Sequence, residues 1–515
     1  MQEHILSILI FLPVAFSIPI LFFKKDSEKL IKYFAFFTSL VVFGLSLILY
    51  FRFDVNAQDF QFSEHTIWIQ AIGSYYYVGV DGISLLLILL TTLIMPISIL
   101  ASWNTIKFRL KEFYFLMLLL EGALIGVFAS LDLLLFYVFW EFILIPMYFM
   151  IGIWGSENRI YATVKFFIFT MFGSVLLLVG MIWLVFQCQS VSGMLTLEIP
   201  RLAAFSVYLP LEKQIYLFVL FSLGFLIKVP LFPFHTWLPD AHVQAPTAGS
   251  VILAALLLKM GTYGLIRFSF SLFPSAFIKL TPYVATLAVI GIIYGALLSI
   301  VQKDMKKLIA YSSVSHLGFI VLGIFALTQE AMQGAVIQMI NHGLSTGALF
   351  LIVGMIYERR HTKEIAQFGG LMKVMPVFSV IFLIVSLSSI GLPGLNGFIG
   401  EFLVLIGSYG SQNLGMNLYT IFSTSAVVLS AVYLLWLFQR VMLGPLEKEE
   451  NKTVKDIGKF ELSYMLPLLL FIVWIGVQPN TFLKLSENSV KKVLMNYEKA
   501  KSLMESQNQP GNEKK

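Results

Sequence analysis

Apolar runs of about twenty residues, the length that carries a helix across the hydrocarbon core of a bilayer, recur along nearly the whole 515-residue chain. Such runs leave few folds open, because backbone N–H and C=O groups surrounded by hydrocarbon must find their partners within the protein. Fourteen candidates can be read, at roughly 4–23, 33–51, 79–103, 113–130, 131–152, 163–187, 214–232, 246–268, 283–301, 307–327, 332–357, 376–408, 417–443 and 462–480. Hydrophobic residues make up 58% of the chain and charged residues 12%, where soluble domains are near half apolar and about a quarter charged. The expectation is an all-α polytopic membrane protein of about 14 transmembrane helices. Lys24 and Lys25 follow the first run instead of preceding it, so it reads as a retained crossing and not as a cleaved signal. The single cysteine, Cys188, excludes a disulfide framework, a Cys-ligated iron–sulfur cluster and a Cys-rich zinc site.

The net charge of +6 does not point to nucleic acid, because the Lys and Arg residues sit in short loops between apolar runs. Loops after odd-numbered runs, with their edges, hold twenty-one of them, and the alternate loops hold five: Arg52, Arg201, Lys213, Arg267 and Lys279. Positive residues concentrate on the cytoplasmic side, so both termini are expected on the outer side. The tail from Lys484 carries seven more on that same side, and its polar composition reads as loose order. The two left over, Lys228 and Lys259, lie in the interior of apolar runs, away from the loops and run edges. Asp81 and Asp132 lie near run ends and read as solvated.

Two runs should be interrupted. Pro230 and Pro233 follow Lys228 directly, and GLPGLNGFIG at 391–400 divides a run too long for one straight crossing. The two lie five crossings apart, and an odd number of crossings per unit inverts the second copy relative to the first. Two inverted five-helix repeats, each with a broken helix, are therefore expected; broken helices at matching positions of inverted repeats mark ion pathways in transporters. The resulting division is 1–112, three transmembrane helices; 113–270, the first repeat; 283–445, the second; 446–480, a cytoplasmic loop and the last crossing; and 481–515, a polar tail.

Ionisable groups at mid-membrane depth are costly and mark function by default. Glu121, Glu141, Lys228, Lys259, His316, His342 and Glu401 each occupy a different crossing, which suggests one polar layer through the protein. The chemistry available to it is proton movement. A carboxylate and an ammonium in low dielectric hold each other charged while close, and separation favours their neutral forms. Histidine needs the smallest shift to titrate near neutral pH. Each group also has a structural reading: a static ion pair that fixes helix packing, or a histidine hydrogen-bonded between helices. His235, Asp240 and His242, in the turn after the first break, either admit protons or shape the loop.

These residues carry a resemblance. FHTWLPDAHVQAPTAGSVILAALLLKMGTYGLIR (234–267) resembles the signature of the antiporter-like membrane subunits of respiratory complex I, which are related to large subunits of sodium/proton antiporters. The similarity extends through 131–155, 306–320, 339–354 and 391–402, and covers roughly residues 75 to 445. Glu401, where several members carry lysine, resembles the middle of the three such subunits. The long terminal amphipathic helix of the largest one is expected to be absent here, since only Thr481 to Lys515 follow the last run. The resemblance implies a proton channel, with Glu141 and Lys228 as a charge pair that answers a neighbouring subunit. It makes Lys259 the central relay, His316 and His342 connecting groups, and Glu401 the terminal site. It implies no NADH, flavin, iron–sulfur cluster or catalytic quinone in this chain. The expected partners are the other membrane subunits of complex I, neighbouring antiporter-like subunits among them, and the lipid of a bacterial inner membrane. The competing readings are a subunit of a multisubunit cation/proton antiporter and a membrane scaffold whose buried charges only lock helices together.

Overall fold

The computed structural model describes residues 4–508. The chain begins with α1 (Ile5–Phe22), α2 (Glu28–Arg52), α3 (Gly82–Ala101) and α4 (Leu110–Ala129). Next, α5 (Leu133–Phe142) and α6 (Leu144–Trp154) form one bent crossing, followed by α7 (Arg159–Ser192) and the short α8 (Ile199–Ser206). The first interrupted crossing is α9 (Leu211–Lys228) with α10 (Trp237–Gln244). The following one contains α11 (Thr247–Ile252) and α12 (Leu258–Gly264), with π-helical turns at Leu253–Leu257 and Leu265–Phe270. Then come α13 (Pro274–Ile300), α14 (Met305–Ala326) and α15 (Gln329–Arg360), and the second interrupted crossing, α16 (Pro376–Ile390) with α17 (Asn396–Tyr409). The chain closes with α18 (Leu418–Met442), the short α19 (Glu449–Lys452), α20 (Lys459–Val477) and α21 (Asn480–Asn508).

Twelve helical stretches among the described residues are long and apolar enough to cross a membrane. The two other expected crossings are the interrupted ones, and each break has a local cause. Pro230 and Pro233 cannot donate a backbone hydrogen bond, so α9 ends at Lys228. At the second break Gly391 and Gly394 take left-handed backbone at φ +85° and +91° on either side of Pro393, a conformation open to glycine. Each interrupted crossing packs on the long helix before it, α9 on α7 and α17 on α15. The apolar stretches of α11–α12 and of α15 are wholly buried, whereas α1, α2, α7, α18 and α20 turn Phe, Val, Ile and Leu outward. The centre of the bundle is therefore the crossing that carries Lys259, with α15, α9 and α3 packed against it.

One departure from an all-helical chain is an antiparallel hairpin, β1 (Gln61–Ile69) and β2 (Ser74–Val80). It is tied down at both ends. Ser7 donates from N and Oγ to Glu64, at 3.0 and 2.5 Å. Asp132, expected to be solvated, is fully buried instead. Its carboxylate accepts from Ser74 Oγ (3.1 Å) and Tyr75 N (3.0 Å) of the hairpin, and from Leu134 N (3.0 Å) and Leu135 N (3.1 Å) at the start of α5. One side chain thus caps a helix and anchors the strand over it. Asp132→Ala removes a cap worth about 0.5–2 kcal/mol and strands buried donors at a further ~1–3 kcal/mol. The expected result is a clear fall in the thermal midpoint of the purified protein. A midpoint within error of the unsubstituted protein would contradict it.

The expectation of a loosely ordered tail is also corrected. Up to Asn508 the segment after α20 is helical, and it packs on α3, α13, α15 and α20. Its composition is polar, but Phe482, Leu485, Ser486, Ser489, Val490, Val493 and Tyr497 are buried, a stripe at the three- and four-residue spacing of one helix face. Ser489 Oγ accepts from Gly82 N (2.8 Å), Asn488 Nδ2 donates to Val55 O (2.6 Å), and Lys492 pairs with Asp59 (2.8 Å). That hydrogen bond and the lysine's charge hold the Asp59 carboxyl below its ordinary value. An amphipathic terminal helix is therefore present, docked on the hairpin face of its own chain. Residues 509–515 of the expected tail lie outside the described residues.

Candidate functional site

Four of the seven singled-out residues form one line. Lys259 has no exposed surface, and its Nζ lies 2.6 Å from Ala254 O and 2.6 Å from His342 Nδ1. The carbonyl belongs to the π-helical turn just before it, a widened turn of a kind frequent at functional sites. The His342 ring stands 5.9 Å, centroid to centroid, from that of His316. His316 Nδ1 lies 2.7 Å from Glu401 Oε1. Lys259, His342, His316 and Glu401 come from α12, α15, α14 and α17, and all four are buried.

Further groups hold this line in place. Gln338 Nε2 donates to Glu401 Oε1 at 3.2 Å, and the buried Tyr433 hydroxyl lies 3.4 Å from His316 Nε2. The second helix break is stitched to α15. Asn341 Nδ2 donates to Asn396 O (2.7 Å), Asn396 Nδ2 donates to Asn341 O (3.3 Å), and Ser388 Oγ donates to Asn396 Oδ1 (2.5 Å). A break whose freed backbone groups are met by side chains is affordable inside a membrane. Gln338, Asn341, Asn396 and Tyr433 were missed because neutral side chains in apolar runs give no charge signal. For Asn396 the only pointer was its place just after Gly394.

The other pair sits differently. Lys228 is buried, with Nζ 5.3 Å from the Trp140 ring centroid and 5.7 Å from that of Phe166, an arrangement that partly offsets its lost hydration. It makes no direct ion pair with Glu141 among the described contacts, and neither Lys228 Nζ nor Glu141 Oε1 has a hydrogen-bond partner there. Glu141 is nonetheless the acid whose charge reaches Lys228. It is only partly buried, among the outward-facing Val138, Ile145 and Tyr148, so it stands on the outer flank of the bundle.

Glu121 lies apart from both groups. It is fully buried, and Ser39 Oγ of α2 donates to it at 2.9 Å. No hydrogen bond or ion pair among the described residues joins it to the lysines or histidines, so the single layer of seven groups divides into a line of four, a pair and one separate carboxyl.

The turn after the first break also divides. Asp240 pairs with Lys165 at 2.7 Å, which ties α10 to α7. His242 is fully buried, stacked on Phe350 at 4.4 Å, with neither ring nitrogen hydrogen-bonded among the described residues. His235 is buried against Phe232 and Tyr294. Lys306, counted from sequence among the loop residues, is buried, and donates to Ala245 O (2.8 Å) and Ser250 Oγ (3.3 Å). Asp81, read as solvated, is buried in an ion pair with Arg267 at 2.6 Å. Both corrections have one cause: the chain folds other segments over these run ends.

The arrangement matches known proteins over nearly its full length. Residues 130–433 match the family described as NADH:quinone oxidoreductase/Mrp antiporter, TM, and residues 7–127 match NADH-ubiquinone oxidoreductase chain 4, amino terminus. NADH-quinone oxidoreductase subunit M of Rickettsia prowazekii is 44% identical over 501 residues, covering 96% of this chain and 100% of that protein. The subunit M of Rhodobacter capsulatus is 44% identical over 508 residues, covering 96% and 97%. Among solved structures, a chain of respiratory complex I from Thermus thermophilus with bound NADH superposes with a TM-score of 0.84 at 32% identity, covering 95% of this chain and 99% of that one. A chain of an archaeal membrane-bound sulfane sulfur reductase shares the fold, with a TM-score of 0.84 at 23% identity, covering 97% and 100%. This multi-pass membrane protein belongs to the NADH:quinone oxidoreductase/Mrp antiporter transmembrane family.

Proposed function

We propose that this chain is a proton-translocating, non-redox membrane subunit of an NADH:quinone oxidoreductase. The observation that carries the reading is the unbroken sequence of proton-capable groups Lys259, His342, His316 and Glu401 across four helices. Each has a side chain that can gain or lose a proton, and neighbours stand within one transfer or one intervening water of each other. Glu401 in α17 and Lys228 at the end of α9 flank the two helix breaks, the places where inverted repeats of transporters hold their ions. We assign 113–270 and 283–445 to two such repeats.

On this reading the Glu141–Lys228 pair receives the signal. Glu141 stands on the outer flank, where a neighbouring antiporter-like subunit reaches it, and Lys228 stands inside. A shift of charge in the neighbour changes how strongly Glu141 holds Lys228 charged, and Lys228 in turn changes the proton affinity of Lys259. Lys259, His342, His316 and Glu401 titrate as a set, so proton uptake at one changes the others. Glu121 has the weakest claim to this path. The chain itself carries no NADH, flavin, iron–sulfur cluster or catalytic quinone, and electron transfer in other subunits drives it. It lies in a bacterial inner membrane with both termini on the outer side, following the split of positive loops.

The family description also names the Mrp antiporter, which keeps a cation/proton exchanger as the second reading. Affinity purification from detergent-solubilised membranes separates the two. Copurification with subunits that bear flavin and iron–sulfur clusters, and with NADH dehydrogenase activity, is expected. Recovery in a complex with neither would sink the oxidoreductase reading and favour the exchanger.

A further inference from the structure

A buried ion pair outside the line joins the interior to a surface cavity. Lys259, Tyr263 and Arg267 follow one another at intervals of four residues along one crossing, so they lie on one side of it, about 6 Å of rise apart. Arg267 Nη2 lies 2.6 Å from Asp81 Oδ2 and 3.4 Å from Ser84 Oγ. Its Nε donates to the Tyr263 hydroxyl at 3.2 Å. That hydroxyl donates to Phe128 O (3.1 Å) and lies 3.3 Å from Ser84 Oγ. The guanidinium is held between the Phe60 and Tyr263 rings, 4.9 and 5.3 Å from their centroids. On the far side of the pair is a cavity of 390 Å³ on the hairpin face, lined by Asp81, Arg267, Gln58, Phe60, Ser489 and Lys492. The last two belong to α21, which forms part of the wall.

We propose that the Asp81–Arg267 pair gates a proton port between Lys259 and the hairpin-face cavity, a role that rests on the proton-channel reading above. Arginine does not give up its proton, so while it covers Asp81 a fixed positive charge stands between the cavity and Tyr263 and repels a proton from either side. Lys259 is meanwhile turned the other way, toward Ala254 O and His342. When Lys259 turns to Tyr263 and Arg267 swings toward the cavity, the Tyr263 hydroxyl accepts a proton from Lys259 Nζ and passes its own to Ser84 Oγ. Ser84 passes one to the freed Asp81 carboxylate, which loses it to cavity water. Every hydroxyl is regenerated, and one proton leaves Lys259 for that face. A purely structural pair would be a poor stabiliser for its cost, since burying both charges consumes most of their attraction.

Thiol accessibility tests the gate without relying on pumping. The chain has one cysteine, so Ser84→Cys in a Cys188→Ser background gives a single reporter in this chain, labelled in the assembled complex in membrane vesicles and read on this chain after the subunits are separated. A membrane-impermeant methanethiosulfonate is applied from each side. With the isosteric neutral pair Asp81→Asn/Arg267→Gln added, labelling from the hairpin face is expected to speed up about ten-fold, with no change from the opposite face. The proton yield per NADH should also fall while NADH oxidation continues. Should the double variant fail to assemble, Arg267→Lys, which keeps the charge and loses the Tyr263 and Ser84 contacts, should give a smaller acceleration from the same face. Labelling that is unchanged by the assembling variant overturns the gate. Undiminished pumping in Lys259→Ala would instead overturn the proton-channel reading and leave the labelling result standing.

Discussion

Lys259→Ala is expected to abolish NADH-driven proton translocation while the complex still assembles. Lys259 Nζ heads the line of His342, His316 and Glu401, through a 2.6 Å contact with His342 Nδ1. Without it a proton must reach His342 past a stretch of the same crossing in which Leu256, Leu257, Leu258 and Met260 are all buried. Each ~1.4 kcal/mol added to that barrier slows transfer about ten-fold, and a desolvated proton with no acceptor costs several times that. Assembly should survive, because alanine removes a buried charge as well as packing. The cavity costs about 2–5 kcal/mol by analogy with other large-to-small changes, and relief from burying an ammonium offsets part of it. Lys259→Arg sharpens the test. It keeps the positive charge but cannot release a proton, so translocation should be lost there too. Native electrophoresis reports assembly, and acidification of inverted vesicles reports translocation. Loss of assembly in Lys259→Ala would favour the scaffold reading, and full translocation in Lys259→Arg would sink the relay.

Much of this line was legible because charge inside an apolar run is conspicuous. Lys228, Lys259, Glu141 and Glu401 stand out against their neighbours, and prolines and glycines beside two of them announce the broken helices. Partnership was less legible. His316 and Glu401 are 85 residues apart and Lys259 and His342 are 83 apart, so only the packing of α12, α14, α15 and α17 brings them together. The same limit hid Asp81 and Arg267, separated by 186 residues. Each looked like an ordinary solvated residue at a run end, because nothing in either local stretch says that the other will cover it.

Two further features were hidden for different reasons. The π-helical turns around Lys259 insert no proline or glycine signal; LAALL reads as ordinary helix. In α21 the polar residues outnumber the apolar ones, and composition masked a stripe that is narrow but regular. Its ion pair with Asp59 and its bond to Gly82 hold it across the hairpin face. Five of the seven basic residues counted on that face, Lys484, Lys491, Lys492, Lys499 and Lys501, therefore belong to a docked helix, with Lys492 serving as an anchor, and the other two lie outside the described residues.

Glu141→Gln is expected to cut proton translocation about ten-fold or more with assembly intact. Glutamine keeps the shape and removes the charge. Glu141 Oε1 has no hydrogen-bond partner among the described residues, and the hydrogen bond from the Tyr137 hydroxyl can be accepted by a glutamine oxygen as well. What changes is the field at Lys228, which sits among Trp140, Phe166 and other apolar side chains. Unit charges ~6–8 Å apart at an effective dielectric of ~20 interact by about 2–3 kcal/mol. That exceeds one ten-fold step in proton affinity, and a neutral Lys228 no longer lowers the proton affinity of Lys259. Glu141→Asp restores the charge, and should recover most translocation despite its shorter reach. This contrast separates charge from packing: a purely structural role would make the aspartate, with its lost methylene, the more damaging change. Because Glu141 is partly exposed on the outer flank, the defect should appear in the assembled complex, where a neighbouring subunit sets its charge. Translocation that persists undiminished in Glu141→Gln would remove Glu141 from the pathway and leave Lys228 without its proposed partner.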